Sequence, residues 1–378
     1  MLCGNIFYEP FFRFGFKSIP MKLLNFPAFY ISAIVSTLLL ATACNKGSDS
    51  YNPVKVGGVI WGTGYNITLN SLQVKEGVDF EEAIANALNE VDNAANAYNP
   101  SSEISLLNSV GIIRNPSSHF KFLFNKSLEF NNLSNGAFDP TVGALVDLWG
   151  FGSGMPTNNP TDVQIDSILS LIGLNNIQLT DNEVRMSNLG LKLDFGAIAK
   201  GYAVDNVAKS LSDIGIKDFM VEIGGEIRVS GNNPEGEKWT IQIDAPIPDI
   251  NGRHERLAVI HLTDAAIATS GNYRNFRTDN NGHTVFHTIS PITGRPAVSD
   301  LLSATIIADN DMTADALATA SMVMGVEQAA SMIENLASRK DSGIFGAIFV
   351  TASDFHNQPF NIITVALNPD HITVLDYF

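Results

Sequence analysis

Residues 193–229 read LDFGAIAKGYAVDNVAKSLSDIGIKDFMVEIGGEIRV, and the period of the apolar positions changes within this stretch. A strand end at Leu193 runs through Gly196 into a segment where Val204, Val207, Leu211 and Ile214 recur at three and four, the spacing of a helix. From 219 to 229 the alternation is that of a strand, interrupted by Gly224-Gly225. Those glycines form a bulge or let a ligand approach the backbone, and the bulge is the simpler expectation. Further strand-like runs follow at 238–244, 256–262, 303–308, 344–350 and 362–367, the last two completing a sheet. Upstream, Val59 to Leu69 alternates around a glycine turn. Phe80, Ala83, Ile84, Ala87, Leu88, Val91 and Ala94 predict an amphipathic helix that ends before Asn99-Pro100. No regular βαβ repeat appears, which predicts an α+β fold of mixed sheets with packed helices rather than a doubly wound sheet. Neither G-x-G-x-x-G after the first strand nor G-x-x-x-x-G-K-[ST] occurs, so a nucleotide would be held without the usual loops.

The chain has 378 residues, 45% hydrophobic and 16% charged, an ordinary globular composition. Its formal net charge of −16 argues against nucleic acid as a partner, because phosphate backbones need concentrated Lys and Arg. An anionic small ligand must instead be held by a metal ion, a helix N-terminus or a few placed cations. The two cysteines, Cys3 and Cys44, both precede the globular part, which excludes a disulfide or a thiolate metal site there.

From Met21, a possible true start, the order is a lysine-bearing segment, an apolar stretch from Phe26 to Ala43, and Ala41-Thr42-Ala43-Cys44 before a polar tail. This predicts a signal peptide over 1–44 with lipoprotein-type cleavage before Cys44, a tether over 45–55 and a catalytic domain over 56–378. Acylated Cys44 would anchor the exported protein at a membrane facing the periplasm, inner or outer undecided. A transmembrane helix of barely sufficient length is the alternative.

Four segments offer chemistry. Asp315 and Thr319 lie one helical turn apart in an alanine-rich stretch and present two hard oxygen ligands suited to Mg²⁺. The plain alternative is an Asp that stabilises the helix dipole and a Thr bonded to the preceding turn. The junction Leu193 to Ala203 aims backbone amides at an anion with Lys200 nearby, or is an ordinary strand-to-helix loop. His287, within His287-Thr288-Ile289-Ser290, is a candidate base near neutral pH, although one of seven histidines is more often structural. Val221 to Arg228 is the glycine-broken strand already described.

Taken in order, these segments resemble the ApbE-type flavin transferases, the FAD:protein FMN transferase family. The resemblance runs from Val56 to Gly325 through Trp61-Gly62-Thr63, Tyr98-Asn99-Pro100, Ser102 to Asn108, Gly136 to Gly143 and Leu148 to Phe151. It continues through Asp194 to Gly201, Val221 to Glu226, Ala268 to Arg274, His287 to Pro296 and Ala314 to Gly325. It implies an active site in a cleft between two lobes. Asp315, Thr319 and the Ala197 carbonyl would hold Mg²⁺, while Asp194 and Lys200 would contact FAD. Tyr98 and the Ala137-Phe138-Asp139 turn would line the flavin and adenine pockets, Ile289 would touch the cofactor, and Trp61 would stack on a ring. His287 would activate a Thr or Ser of an acceptor flavoprotein for attack on the FMN phosphorus, with AMP leaving. Two positions depart from the family's usual pattern, Trp61 for Met and Ser290 for Asp; loss of that carboxylate would leave His287 less well oriented. An Mg²⁺-dependent FAD pyrophosphatase and a non-catalytic FAD-binding lipoprotein are the alternative functions.

Overall fold

The sheet at the centre of the molecule is antiparallel throughout. Its eight strands run in the order 53–60, 63–70, 219–223, 226–230, 265–271, 301–308, 344–352 and 360–365. This computed structural model describes residues 51–152, 160–247, 255–273, 276–278, 284–353 and 359–377. The expected signal peptide with Cys44, Arg274 and most of the expected tether lie outside them. From Tyr51 onward the chain is one compact unit. The first strand starts at Pro53, so the sheet takes in the last three residues assigned to the tether.

Both faces of the sheet are covered. Ile306, Ala347 and Phe349 join one core with the helices Phe80–Ala95, Ser118–Leu133, Ala199–Asp213 and Asp311–Met324. Their neighbours Ile307, Ile348 and Val350 join a second core with a three-stranded sheet ordered 372–377, 256–262, 239–244. Successive side chains of a strand point to opposite faces, so strands covered on both sides read as unbroken apolar runs, as 303–308 and 344–350 do. A small sheet of strands 112–114, 183–186 and 177–179 completes the described architecture.

The helix Phe80–Ala95 matches its expected bounds. Asp79 caps it by accepting from the Glu81 and Glu82 amides, and Ile84, Ala87, Leu88 and Val91 form its buried face. The expected bulge at Gly224-Gly225 is instead a hairpin turn. Both residues have positive φ, 60° and 97°, and strands 219–223 and 226–230 pair directly across them. This reversal places Glu226 in the interior.

Phe349 is fully buried where the sheet meets the helices. Phe349→Ala should lower unfolding stability by about 3–5 kcal/mol, read as a lower urea midpoint.

Candidate active site

The junction at Leu193 to Lys200 is fixed before it meets any ligand. Asn108 clamps the Leu193 backbone from both sides, its Nδ2 donating to the carbonyl and its Oδ1 accepting from the amide, each at 2.8 Å. The Asp194 amide donates to the Pro140 carbonyl at 2.7 Å, and Asp194 Oδ1 accepts from the Gly196 amide at 2.7 Å. The chain then enters the helix Ala199–Asp213.

That helix and Asp311–Met324 hold each other at their N-terminal ends. Asp205 accepts from the Asp311 and Met312 amides, both at 2.9 Å, and from Arg228 Nη1 at 2.6 Å. In return, Asp315 Oδ2 accepts from the Gly201 amide at 3.1 Å. Gly201 is the third residue of its helix, where the amide has no partner within the helix, and Asp315 supplies one. Gly201 is required by proximity, since a Cβ there would lie 2.5 Å from the Asp311 carbonyl oxygen.

Asp315 is 3% exposed and accepts from the Gly201 amide, and Thr319 Oγ1 lies 3.1 Å from Ser270 Oγ. A carboxylate and a hydroxyl one helical turn apart are hard oxygen donors of the kind Mg²⁺ takes together with water or phosphate oxygens. Among the described residues no group of three or more His, Cys, Asp or Glu is placed to hold a metal ion.

Lys200 is ion-paired with Glu226. Burial alone would lower the lysine, but Glu226, Asp315 and Asp311 outweigh it and hold it protonated above its ordinary range. Burial pushes Glu226 up to about 7 against the pull of Lys200. Asp311 is fully buried with neither carboxylate oxygen hydrogen-bonded; burial, then the Glu226, Asp205 and Asp315 carboxylates, drive it well above the usual range. Burial also raises Asp315, opposed by Lys200 and the Gly201 amide. Asp205 and Asp311 were not singled out from the sequence, and Glu226 stood there only as the end of the Val221 to Glu226 motif, without a role.

Beside this centre a cavity of about 610 Å³ is lined by Tyr98, Asn108, Asp147, Gly152, Lys192 and Asp194, within the range of small-molecule sites. Lys192 bridges to Asp147 at 2.6 Å. Burial and Asp147 raise Asp194. Tyr98 is 67% exposed on the cavity rim, and its hydroxyl donates to the Phe151 carbonyl at 3.2 Å. The Phe151 ring stands edge-on to His287 with centroids 6.3 Å apart, and Arg277 lies over the same ring. Trp149 ties this segment to the following motif by donating to the Gly294 carbonyl at 2.8 Å. Tyr98 and Asp194 thus line the cavity, and Tyr98 bonds to Phe151, whose ring faces His287.

In the Ala137-Phe138-Asp139 turn, Ala137 and Phe138 are 3% exposed and Phe138 stands edge-on to Phe130, so their side chains pack inward. In that turn Asp139 is half-buried and accepts from the Thr141 amide and hydroxyl. Ile289 is 6% exposed and its side chain is likewise packed inward. Trp61 sits at φ 51° in the hairpin turn with Gly62, packs on the main core and donates through Nε1 to Asp92 at 2.7 Å. Asp92 also accepts from Asn96 and Asn99, so Trp61 steadies the loop that carries Tyr98.

The model of the ApbE family matches residues 61–341. The chain belongs to the ApbE family. It is 36% identical over 310 residues to a FAD:protein FMN transferase of Vibrio cholerae, covering 81% of this chain and 90% of that protein. It is 35% identical over 341 residues to the Haemophilus influenzae protein of the same name, covering 85% and 94%. Among solved structures, the flavin transferase ApbE from Vibrio cholerae superposes with a TM-score of 0.73 at 32% identity, covering 85% of this chain and 99% of that one. The apo flavinyl transferase ApbE of Pseudomonas stutzeri gives 0.71 at 28% identity, covering 83% and 95%.

For this ApbE-family chain the structure accounts for Ser290. Its hydroxyl accepts from the Ile292 and Thr293 amides at 3.3 Å, while its backbone bonds to Arg295 and Gly294. The position builds the turn after His287, a task in which a serine oxygen replaces a carboxylate oxygen.

Asp311→Asn removes the buried group whose ionisation the fold opposes. A carboxyl raised on folding keeps its proton while the unfolded chain loses it, so stability falls as pH rises above about 3.8. The variant should gain thermal stability relative to the parent progressively from pH 4 to pH 8, measured by melting temperature.

Proposed function

We propose that this ApbE-family chain is a Mg²⁺-dependent FAD:protein FMN transferase that transfers FMN from FAD to a Thr or Ser hydroxyl of an exported flavoprotein, releasing AMP. One observation carries the proposal: the Leu193 to Gly201 junction lends Asp194 to the cavity wall and bonds through the Gly201 amide to Asp315.

The chemistry follows from that continuity. FAD lies in the cavity, with Tyr98 beside its ring system and Asp194 at the junction. Asp315, Thr319 and the Ala197 carbonyl would hold Mg²⁺, which when bound would supply positive charge beside the diphosphate. Lys200, kept protonated by its carboxylate neighbours, adds positive potential on a protein of net charge −16. His287 takes the proton of the acceptor hydroxyl as its oxygen bonds to the FMN phosphorus and the bond to AMP breaks. Phosphoryl transfer needs chiefly position and charge neutralisation, and the site is built from groups fixed by backbone contacts. Export and acylation at Cys44 would place the enzyme at a membrane with its acceptor, facing the periplasm.

The test incubates the protein with FAD, Mg²⁺ and an acceptor, following AMP release and in-gel flavin fluorescence. Covalent fluorescence with equimolar AMP supports the transferase, and AMP without labelled acceptor supports the pyrophosphatase. FAD binding without AMP supports the storage protein. His287→Ala should slow FMN transfer by about 10²–10⁴-fold with FAD affinity retained. Asp315→Asn should abolish the response to added Mg²⁺ in the same assay.

A further inference from the structure

The strand Trp239–Asp244 ends its three-stranded sheet, bonded on one side only to 256–262 among the described residues. A groove of about 410 Å³ runs beside it, and Ile241, Gln242, Ile243 and Asp244 all border that groove. Ile241 and Ile243 point into the second core while Gln242 is exposed. Successive side chains of a strand face opposite ways, so a wall made from four consecutive residues is the strand's edge, where unpaired N–H and C=O groups await a partner.

The facing wall is low. It includes Gly64 and the Gly224-Gly225 turn, and a Cβ built on Gly64 would have only the Gly58 carbonyl oxygen near it, at 3.9 Å. Acidic side chains mark both walls, Glu222 on one and Asp244 on the other. Glu222 accepts from Asn66 and the Gly225 amide, and Asp244 accepts from Gln242.

Thr269 and Tyr273 also line the groove. The residue after Thr269 is Ser270, whose hydroxyl lies 3.1 Å from Thr319. The strand carrying both stops at Gly271. A chain leaving the groove therefore passes a strand end to reach the face with the Asp315/Thr319 centre.

We propose that this groove takes the target segment of the acceptor protein. The segment binds as an extended strand added to the edge of Trp239–Asp244, with a basic side chain toward Glu222 and Asp244 and the target hydroxyl carried past Gly271 to the reacting phosphorus. This deepens the transferase reading and rests on it. Main-chain pairing supplies affinity, and the small facing residues and acidic rim supply selectivity.

The test places the photoreactive residue p-benzoylphenylalanine at Gln242 of the full chain, with the same residue at Val163, 79% exposed on a separate helix, as the control. The acceptor is a protein that the parent chain flavinylates. Irradiation should give a covalent adduct with the acceptor at 242 and none at 163, suppressed by excess unlabelled acceptor. In parallel, Asp244→Lys should raise KM for the acceptor at least five-fold with the FAD dissociation constant within two-fold of the parent. If the parent transfers FMN but 242 gives no specific adduct and Asp244→Lys leaves the acceptor KM unchanged, the groove assignment is overturned while the function stands. If the parent flavinylates no hydroxyl-bearing acceptor, both fall together.

Discussion

The site depends on a mutual capping of two helices. Asp205 of the Ala199–Asp213 helix receives the first two amides of Asp311–Met324, and Asp315 of the second helix receives the Gly201 amide of the first. Each carboxylate satisfies donors that a helix N-terminus otherwise leaves unpaired, and each favours the positive end of a helix dipole. The exchange works only at close range, and Gly201 permits that range. Its consequence is functional, because the Gly201 amide ties the junction that carries Asp194 to the helix that carries Asp315 and Thr319.

The same arrangement concentrates negative charge in the interior. Asp205, Glu226, Asp311 and Asp315 share the protein interior with Lys200 and Arg228, and the balance is incomplete. Asp205 is matched by Arg228 and two amides, and Glu226 by Lys200, whereas Asp311 has no hydrogen-bonding partner for either oxygen. Buried carboxylates without partners respond by retaining protons. A divalent cation bound at Asp315 would relieve this charge, which explains why a protein of net charge −16 can gather a nucleotide diphosphate at all.

Local patterns made some of this legible in the sequence. The helix Phe80–Ala95 has a full apolar stripe and an Asp cap, and the runs 256–262 and 303–308 are apolar enough to identify as strands. The helix Ser118–Leu133 escaped notice because its buried Phe120, Leu123, Phe124 and Phe130 are interleaved with Phe122 and Leu133 on the exposed side. The strand Ala265–Gly271 escaped because Ala265, Ala266, Ala268 and Gly271 are poor strand formers, small enough to fit against the Asp311–Met324 helix. At the site, Asp315 and Thr319 could be paired from their spacing of four. Glu226, Asp205 and Asp311 could not, since their roles come from partners 26, 106 and more residues distant or from having none.

The direct test of the helix exchange is a Mg²⁺ titration of FAD binding in Gly201→Ala, with far-ultraviolet circular dichroism confirming the native fold. The added methyl must push the two helix ends apart, so the Mg²⁺ concentration for half-maximal tightening of FAD should rise at least ten-fold. A folded variant with the parent's Mg²⁺ dependence would contradict the account.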